Sequence, residues 1–157
     1  MTAKRKSVPR AAEPASPAYG SRSAAARPRR ASEATLSRRI AEVREGLPMS
    51  ELDRMAEVLE LDKARLAGIL HTSLRTLQRK AESAGRLGAA ASDRLARIRR
   101  IHELATHVLG EPDKAARWLK SASRALGGEI PLQMLDTDIG TQRVQQELRE
   151  IEYGMPL

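Results

Sequence analysis

One stretch restricts the fold more than any other: Ser92 to Leu109, set between the break Gly85-Arg86-Leu87-Gly88 and the stop Gly110. Serine at the head suits a helix N-cap, and glycine after the end suits a C-cap. Leu95, Ile98, Ile101, Leu104, Ala105, Val108 and Leu109 recur at helical spacing. At about 100° per residue they cover roughly half the circumference, not one narrow stripe. Such a helix needs neighbours on two sides. It is therefore either the spine between two halves of a helical chain or part of an interface between two copies. Arg99 and Arg100 fall on the remaining face, which should be wet.

The residues before this spine read as four helices. Ser32 caps the first, which carries Leu36, Ile40 and Val43 and stops at Gly46 with Pro48 beyond. Ser50 starts the second, with Asp53 three residues on as an acidic form of the capping box, and with Leu52, Met55, Ala56 and Leu59 at i, i+3, i+4, i+7. Asp62 caps the third, with Leu66, Ala67 and Leu70 inward. Thr72-Ser73 opens the fourth, with Leu74, Leu77 and Ala81 inward and Arg75, Gln78, Arg79 and Glu82 outward. Two short helices joined by about three residues, the second amphipathic and basic, meet the needs of a helix-turn-helix. The alternative is an ordinary helical hairpin with a solvated arginine face. His71 occupies the turn, where a left-handed backbone would cost a non-glycine residue about 1 kcal/mol, although His and Asn tolerate it best.

Beyond the spine, Glu111-Pro112 opens a helix with proline at its first position and with Ala115, Trp118, Leu119 and Ala122 on one face. Trp118 is expected in the core. A turn over Arg124–Gly128 leads to a short helical stretch, Pro131–Leu135. Thr137 then caps a last helix whose Gly140, Val144, Leu148 and Ile151 share a face, the glycine allowing close packing. Gly154 breaks that helix and leaves a short apolar end, Met155-Pro156-Leu157. Chain ends are usually frayed and polar. This one is shaped to be inserted into something.

Charge divides the chain by partner. Residues 1–39 carry ten Lys/Arg against two Asp/Glu, equal to the whole formal net charge of +8. Residues 40–60 are acidic, 61–100 are basic, and 101–157 are mildly acidic. A polyanion suits the two basic zones and a different partner suits the last. Residues 1–31, rich in Pro, Ala, Ser and Arg without period, read as a disordered basic tail. That tail is either an arm on DNA phosphates or a solubilising extension. No apolar run is long enough for a secretory signal or a membrane span, so a soluble cytoplasmic protein with no membrane contact is expected. With no Phe, one Trp and two Tyr, stacking platforms for single-stranded bases are missing.

Chemistry finds no foothold. No cysteine is present for disulfide, thiolate or zinc work. His102 and His107 are five apart, about 140° around a helix, whereas two ligands on one face want i, i+3 or i+4. Asp136 and Asp138 flank a helix start, where capping and the dipole account for carboxylates. Gly127-Gly128 precedes Pro131, not a phosphate-loop lysine. Neither an enzyme nor a cofactor is expected.

Three spaced groups in the last third then carry a resemblance. Ala125-Leu126-Gly127-Gly128 comes first, followed by Pro131-Leu132-x-x-Leu135-x-Thr137-x-x-Gly140-x-x-x-Val144 and by Leu148-x-x-Ile151-x-Tyr153-Gly154. Together they resemble the toxin-binding domain of Xre/MbcA/ParS antitoxins. Ala67-x-x-x-His71-Thr72-Ser73-x-x-x-Leu77 resembles the Xre-type helix-turn-helix of the same architecture, with His71 where that motif usually has glycine. The resemblance implies an all-α chain: an Xre-like helix-turn-helix domain over residues 32–91, then a small helical toxin-binding domain over 92–157. It implies a RES-domain, NAD-consuming toxin as partner, neutralised by the C-terminal segment at its active-site entrance. Dimerisation, binding to double-stranded operator DNA and repression of the pair's own promoter are implied as well. The residues expected on the toxin are Glu152, Tyr153, Gly154, Met155, Pro156 and Leu157. Those expected on DNA are Ser73, Arg75, Thr76, Gln78, Arg79 and Lys80, with Arg75, Gln78 and Arg79 toward the major groove and Lys80 on phosphate. The competing reading is a stand-alone helix-turn-helix repressor or nucleoid-type DNA-binding protein without a toxin.

Overall fold

The expected spine runs from Ala89 to Leu109 and is the fifth helix, α5, in the computed structural model, which describes residues 26–83 and 85–154. Before it come α1 (Ala26–Glu45), α2 (Met49–Val58), α3 (Lys63–Ile69) and α4 (Leu74–Ser83). After it come α6 (Pro112–Lys120), a 3-10 turn (Arg124–Leu126), α7 (Pro131–Met134) and α8 (Asp138–Glu152). The described residues are thus all-helical. Helices α1, α6 and α8 pack on α5, and Leu95, Ile98, Ile101 and Ala105 are at most 1% exposed. Each Leu or Ile buried this way contributes about 1.5–3 kcal/mol. The half-apolar circumference does demand two sets of neighbours.

Arginines on α5 act as spokes. Arg94 Nη1 donates to Leu70 O at the end of α3, at 3.2 Å. Arg97 Nη1 reaches Asp136 O at 3.2 Å and Leu135 O at 3.4 Å, at the end of α7. The last carbonyls of a helix have no partner within it and carry its negative pole, so a guanidinium there satisfies both. Arg99, expected to be wet, is half-buried and pairs with Glu51 Oε2 of α2 at 3.1 Å, while Arg100 is exposed as expected. A further link between the two halves joins Lys120 Nζ to Glu60 Oε2 at 2.8 Å. The hydrogen bond and charge of Lys120 hold the Glu60 carboxyl below its usual range.

Several helix starts differ from expectation. The first helix begins at Ala26, so residues 26–31 of the expected tail are helical and Ser32 is internal. Pro28 is harmless there, because an N–H in the first turn has no intrahelical acceptor to lose. The rest of the expected tail, residues 1–25, lies outside the described residues. Pro48, not Ser50, is the N-cap of α2, and no side chain caps it. The first N–H of that helix, on Met49, is taken instead by Gly85 O at 3.0 Å. Gly88, not Ser92, precedes α5. Ser92 is buried one turn in, and its Oγ accepts from Leu47 N at 2.9 Å. Residues 46–49 and 85–87 therefore form a clasp, completed by Leu87 N donating to Leu47 O at 2.8 Å and Arg86 Nη1 to Gly46 O at 2.6 Å. Gly46 sits at φ +93°, and a Cβ there would stand 2.3 Å from Leu87 O. Only glycine closes this clasp.

Other expectations hold. Asp62 Oδ1 caps α3 from 2.6 Å, and Thr137 Oγ1 caps α8 by accepting from Gly140 N at 3.1 Å. Gly110 ends α5 at φ +82°, and Pro112 is at the head of α6. Two expectations for this helix do not hold: Trp118 is only half-buried, at the edge of the core, because Ala115, Ala116 and Leu119 take the inward face of α6, and Ala122, beyond the end of α6, is exposed.

Candidate nucleic-acid and partner interfaces

The turn between α3 and α4 is fixed by backbone bonds. His71 N donates to Gly68 O at 3.0 Å and Thr72 N to Ala67 O at 2.9 Å. These two bonds close a Schellman motif, which needs a left-handed residue at its centre. That residue is His71, at φ +54°. The same closure ends α2 with Glu60, at φ +51°, through Glu60 N to Glu57 O and Leu61 N to Ala56 O. Two consecutive helices thus end on a non-glycine in the left-handed region. The histidine alters the energy of the turn but not its shape.

Ser73 then caps α4. Its Oγ accepts from Thr76 N at 3.1 Å and lies 2.9 Å from Thr76 Oγ1. Leu77 is the one buried residue of α4, while Leu74 and Ala81, expected inward, are exposed. The ten-residue helix is anchored through Leu77, with Thr76 and Lys80 half-buried on either side. Arg75, Thr76, Gln78, Arg79 and Glu82 line one shallow groove on its outer side. Arg75, Gln78 and Arg79 are exposed, and their side chains make no hydrogen bond or ion pair among the described residues. Arg86, Arg94, Arg97 and Arg99 are tied to backbone or carboxylate, whereas the guanidinium groups of Arg75 and Arg79 are left to solvent. Lys80 is half-buried beside Thr72, Thr76 and Arg94, toward the start of α5.

At the other end, α8 packs on α5 through Thr141, Val144, Glu147 and Leu148. Gly140 lets the head of α8 close on the end of α7, since a Cβ there would stand 2.0 Å from Met134 O. Arg143 Nη2 ties α8 to the 3-10 turn by donating to Ala125 O at 2.8 Å. Ile151 is half-buried, Tyr153 caps the helix, and Gly154 follows at φ +63°. Glu152, Tyr153 and Gly154 are exposed together, with Glu152 Oε1 lying 3.6 Å from His107 Nε2. Met155, Pro156 and Leu157 lie outside the described residues.

Ile139 was not among the residues expected at a site, yet it is the most exposed large apolar side chain described. Its signal was available: it lies one residue, about 100°, away from Gly140 and so off the face that Gly140 shares with Val144 and Leu148. His102 is buried with Nε2 3.4 Å from Pro112 O, a packed histidine as expected. Among the described residues no cluster of His, Asp and Glu could hold a metal, and no helix is long and apolar enough to cross a membrane.

The two surfaces coincide with two family matches. Residues 38–100 match the Antitoxin Xre-like helix-turn-helix domain, and residues 104–154 match the Antitoxin Xre/MbcA/ParS C-terminal toxin-binding domain. The chain is 33% identical over 112 residues to an Antitoxin Xre of Photorhabdus laumondii, covering 71% of this chain and 76% of that protein. It is 40% identical over 84 residues to an Antitoxin Xre of Pseudomonas putida, about half of each chain at 54% and 53%. An Antitoxin Xre of Yersinia enterocolitica is 25% identical over 114 residues, 72% of this chain and 77% of the relative. With a helix-turn-helix whose outer face is free, a second helical unit in which Glu152, Tyr153 and Gly154 are exposed, and these matches to both, the chain belongs to the Xre/MbcA/ParS family of antitoxins, proteins that bind a toxin and do not themselves catalyse a reaction.

Proposed function

We propose that this chain neutralises a RES-domain, NAD-consuming toxin in the cytoplasm by placing Glu152–Leu157 at the entrance of the toxin's active site. The observation that carries this reading is the end of α8. Tyr153 is 73% exposed, and Gly154, at φ +63°, takes the left-handed conformation just before Met155-Pro156-Leu157 in the sequence. Tyr153 supplies contact area, and Gly154 lets the backbone enter a narrow cleft. The frame that carries this end is tied by Arg143 donating to Ala125 O and by the Thr137 cap on Gly140 N. Truncation after Glu152, co-expressed with the cognate toxin, is expected to abolish protection. Undiminished protection by the truncated chain sinks the insertion mechanism.

The same chain represses its own operon as a homodimer. Arg75, Gln78 and Arg79 read base edges in the major groove, Ser73 and Thr76 fix the start of the reading helix, and Lys80 holds a phosphate. The second copy docks along α1, where Leu36 and Ile40 are 59% and 44% exposed.

A further inference from the structure

Five large apolar side chains are exposed among the described residues: Leu36 and Ile40 on α1, Leu74 at the head of α4, and Ile139 and Tyr153 on α8. Ile139, at 81%, has no packing duty, because the opposite face of α8 holds the helix to the body. At about 100° per residue, Ile139, Gln142, Gln146, Arg149 and Tyr153 fall within an arc of about 80°, and all five are exposed. Fourteen residues at about 1.5 Å each put Ile139 and Tyr153 about 21 Å apart along the helix. The polar middle of this stripe is already ordered. Gln142 Nε2 donates to Asp138 Oδ2 at 2.8 Å, and Gln146 Nε2 donates to Glu150 Oε1 at 2.9 Å. Side chains ordered in advance lose less entropy on docking.

One exposed isoleucine on a surface is ordinary. Two apolar side chains at the ends of a single straight, pre-ordered stripe are the layout of a contact with an anchor at each end. We infer that the outward face of α8, from Ile139 to Tyr153, is a second contact surface for the toxin, with Ile139 as its far anchor. The stripe is continuous with Tyr153 and lies wholly within the residues that match the toxin-binding domain, 104–154, which selects the toxin as its occupant. A second copy of the chain has the α1 face to use. The inference rests on the toxin reading above and adds to it: the toxin is gripped along the length of α8, and that grip sets the bearing of the C-terminal plug.

The test compares Ile139→Glu and Gln146→Lys with truncation after Glu152, all in the full chain. Each is titrated by calorimetry into a catalytically silenced form of the RES-domain protein encoded beside it, and each is assayed for inhibition of NAD consumption by the active toxin. Ile139→Glu is expected to weaken affinity about tenfold while leaving the melting temperature unchanged and still giving full inhibition at saturation. Gln146→Lys, in mid-stripe, is expected to weaken affinity without altering the fold, and it decides the matter if Ile139→Glu disturbs the first turn of α8. Affinity equal to the parent in both variants overturns the second surface, whatever truncation does. A change in the oligomeric mass of the free chain with unchanged toxin affinity overturns it in favour of a contact between copies. If instead the truncated chain inhibits fully while Ile139→Glu binds weakly, the plug fails and the α8 surface stands.

Discussion

His71 keeps its turn at a cost. At φ +54° it sits where a side chain crowds the backbone, in a motif whose centre is usually glycine. His71→Gly relieves that strain but also frees the unfolded chain, and the two effects partly cancel. The expected balance is a gain of at most about 0.5 kcal/mol, read as a melting temperature higher by about 1–2 °C. Glu60, in the same conformation, gains less from the same change, because glycine also loses the contact with Lys120. Glu147 poses the opposite problem. It is 2% exposed, and its Oε2 has no hydrogen-bond partner among the described residues. Burial pushes its carboxyl above the usual value of 4.5, the nearby Glu150 pushes the same way, and Arg143 opposes both. A carboxyl raised in the folded state favours folding in its protonated form. Its contribution is therefore fully present below 4.5 and is lost as pH rises through the raised value. Glu147→Met removes the buried charge while keeping similar bulk, and is expected to stabilise the chain by about 1–3 kcal/mol at pH 7. Urea denaturation at pH 7 and at pH 4 checks the sign: the advantage should shrink at the lower pH.

Helix starts separate what was legible in the sequence from what was not. Asp62, Ser73 and Thr137 cap the helices expected of them, because a side chain accepting from the N–H three residues on is a local event. Ser50 and Ser92 have the same local credentials and cap nothing. Gly85 O had already taken the first donor of α2, and the buried N–H of Leu47 claimed Ser92, 45 residues away. Such competition is settled in three dimensions and leaves no trace in spacing. Gly140 was readable as a close-packing position, and the structure sharpens it: the neighbour is backbone, which cannot swing aside. Gly140→Ala must push α7 and the head of α8 apart, an overpacking expected to cost about 1–3 kcal/mol. It should lower toxin affinity without touching operator binding, since α7 and α8 pack mainly on α5, α6 and each other, and α4 mainly on α3. Calorimetry against the toxin beside a gel shift on the operator separates the two effects.

At the scale of the whole chain, apolar periodicity located the core helices well but was blind to apolar residues meant to stay outside. Leu36 and Ile40 fit the helical pattern of a buried face, yet α1 leans on α5 with that face partly open; Ile139 falls off the pattern and is open too. Tyr153 and Gly154 were legible because a glycine closes the last helix directly after its final turn. If α1 is where two copies meet, operator binding depends on it even though α1 lies outside the reading helix. Two linked helix-turn-helix units engage their half-sites with an effective concentration that a lone unit lacks, commonly worth a hundredfold or more (about 10²–10⁴) in affinity. Replacing Leu36 and Ile40 together by Glu puts charge on a surface already 59% and 44% exposed, so the monomer's fold should be spared. Sedimentation is expected to show a shift from dimer to monomer, and operator affinity should fall about a hundredfold or more, while binding of the toxin to α8 is retained. An unchanged sedimentation coefficient would place the dimer contact elsewhere. Loss of toxin binding would show that the two ends of the molecule do not work independently.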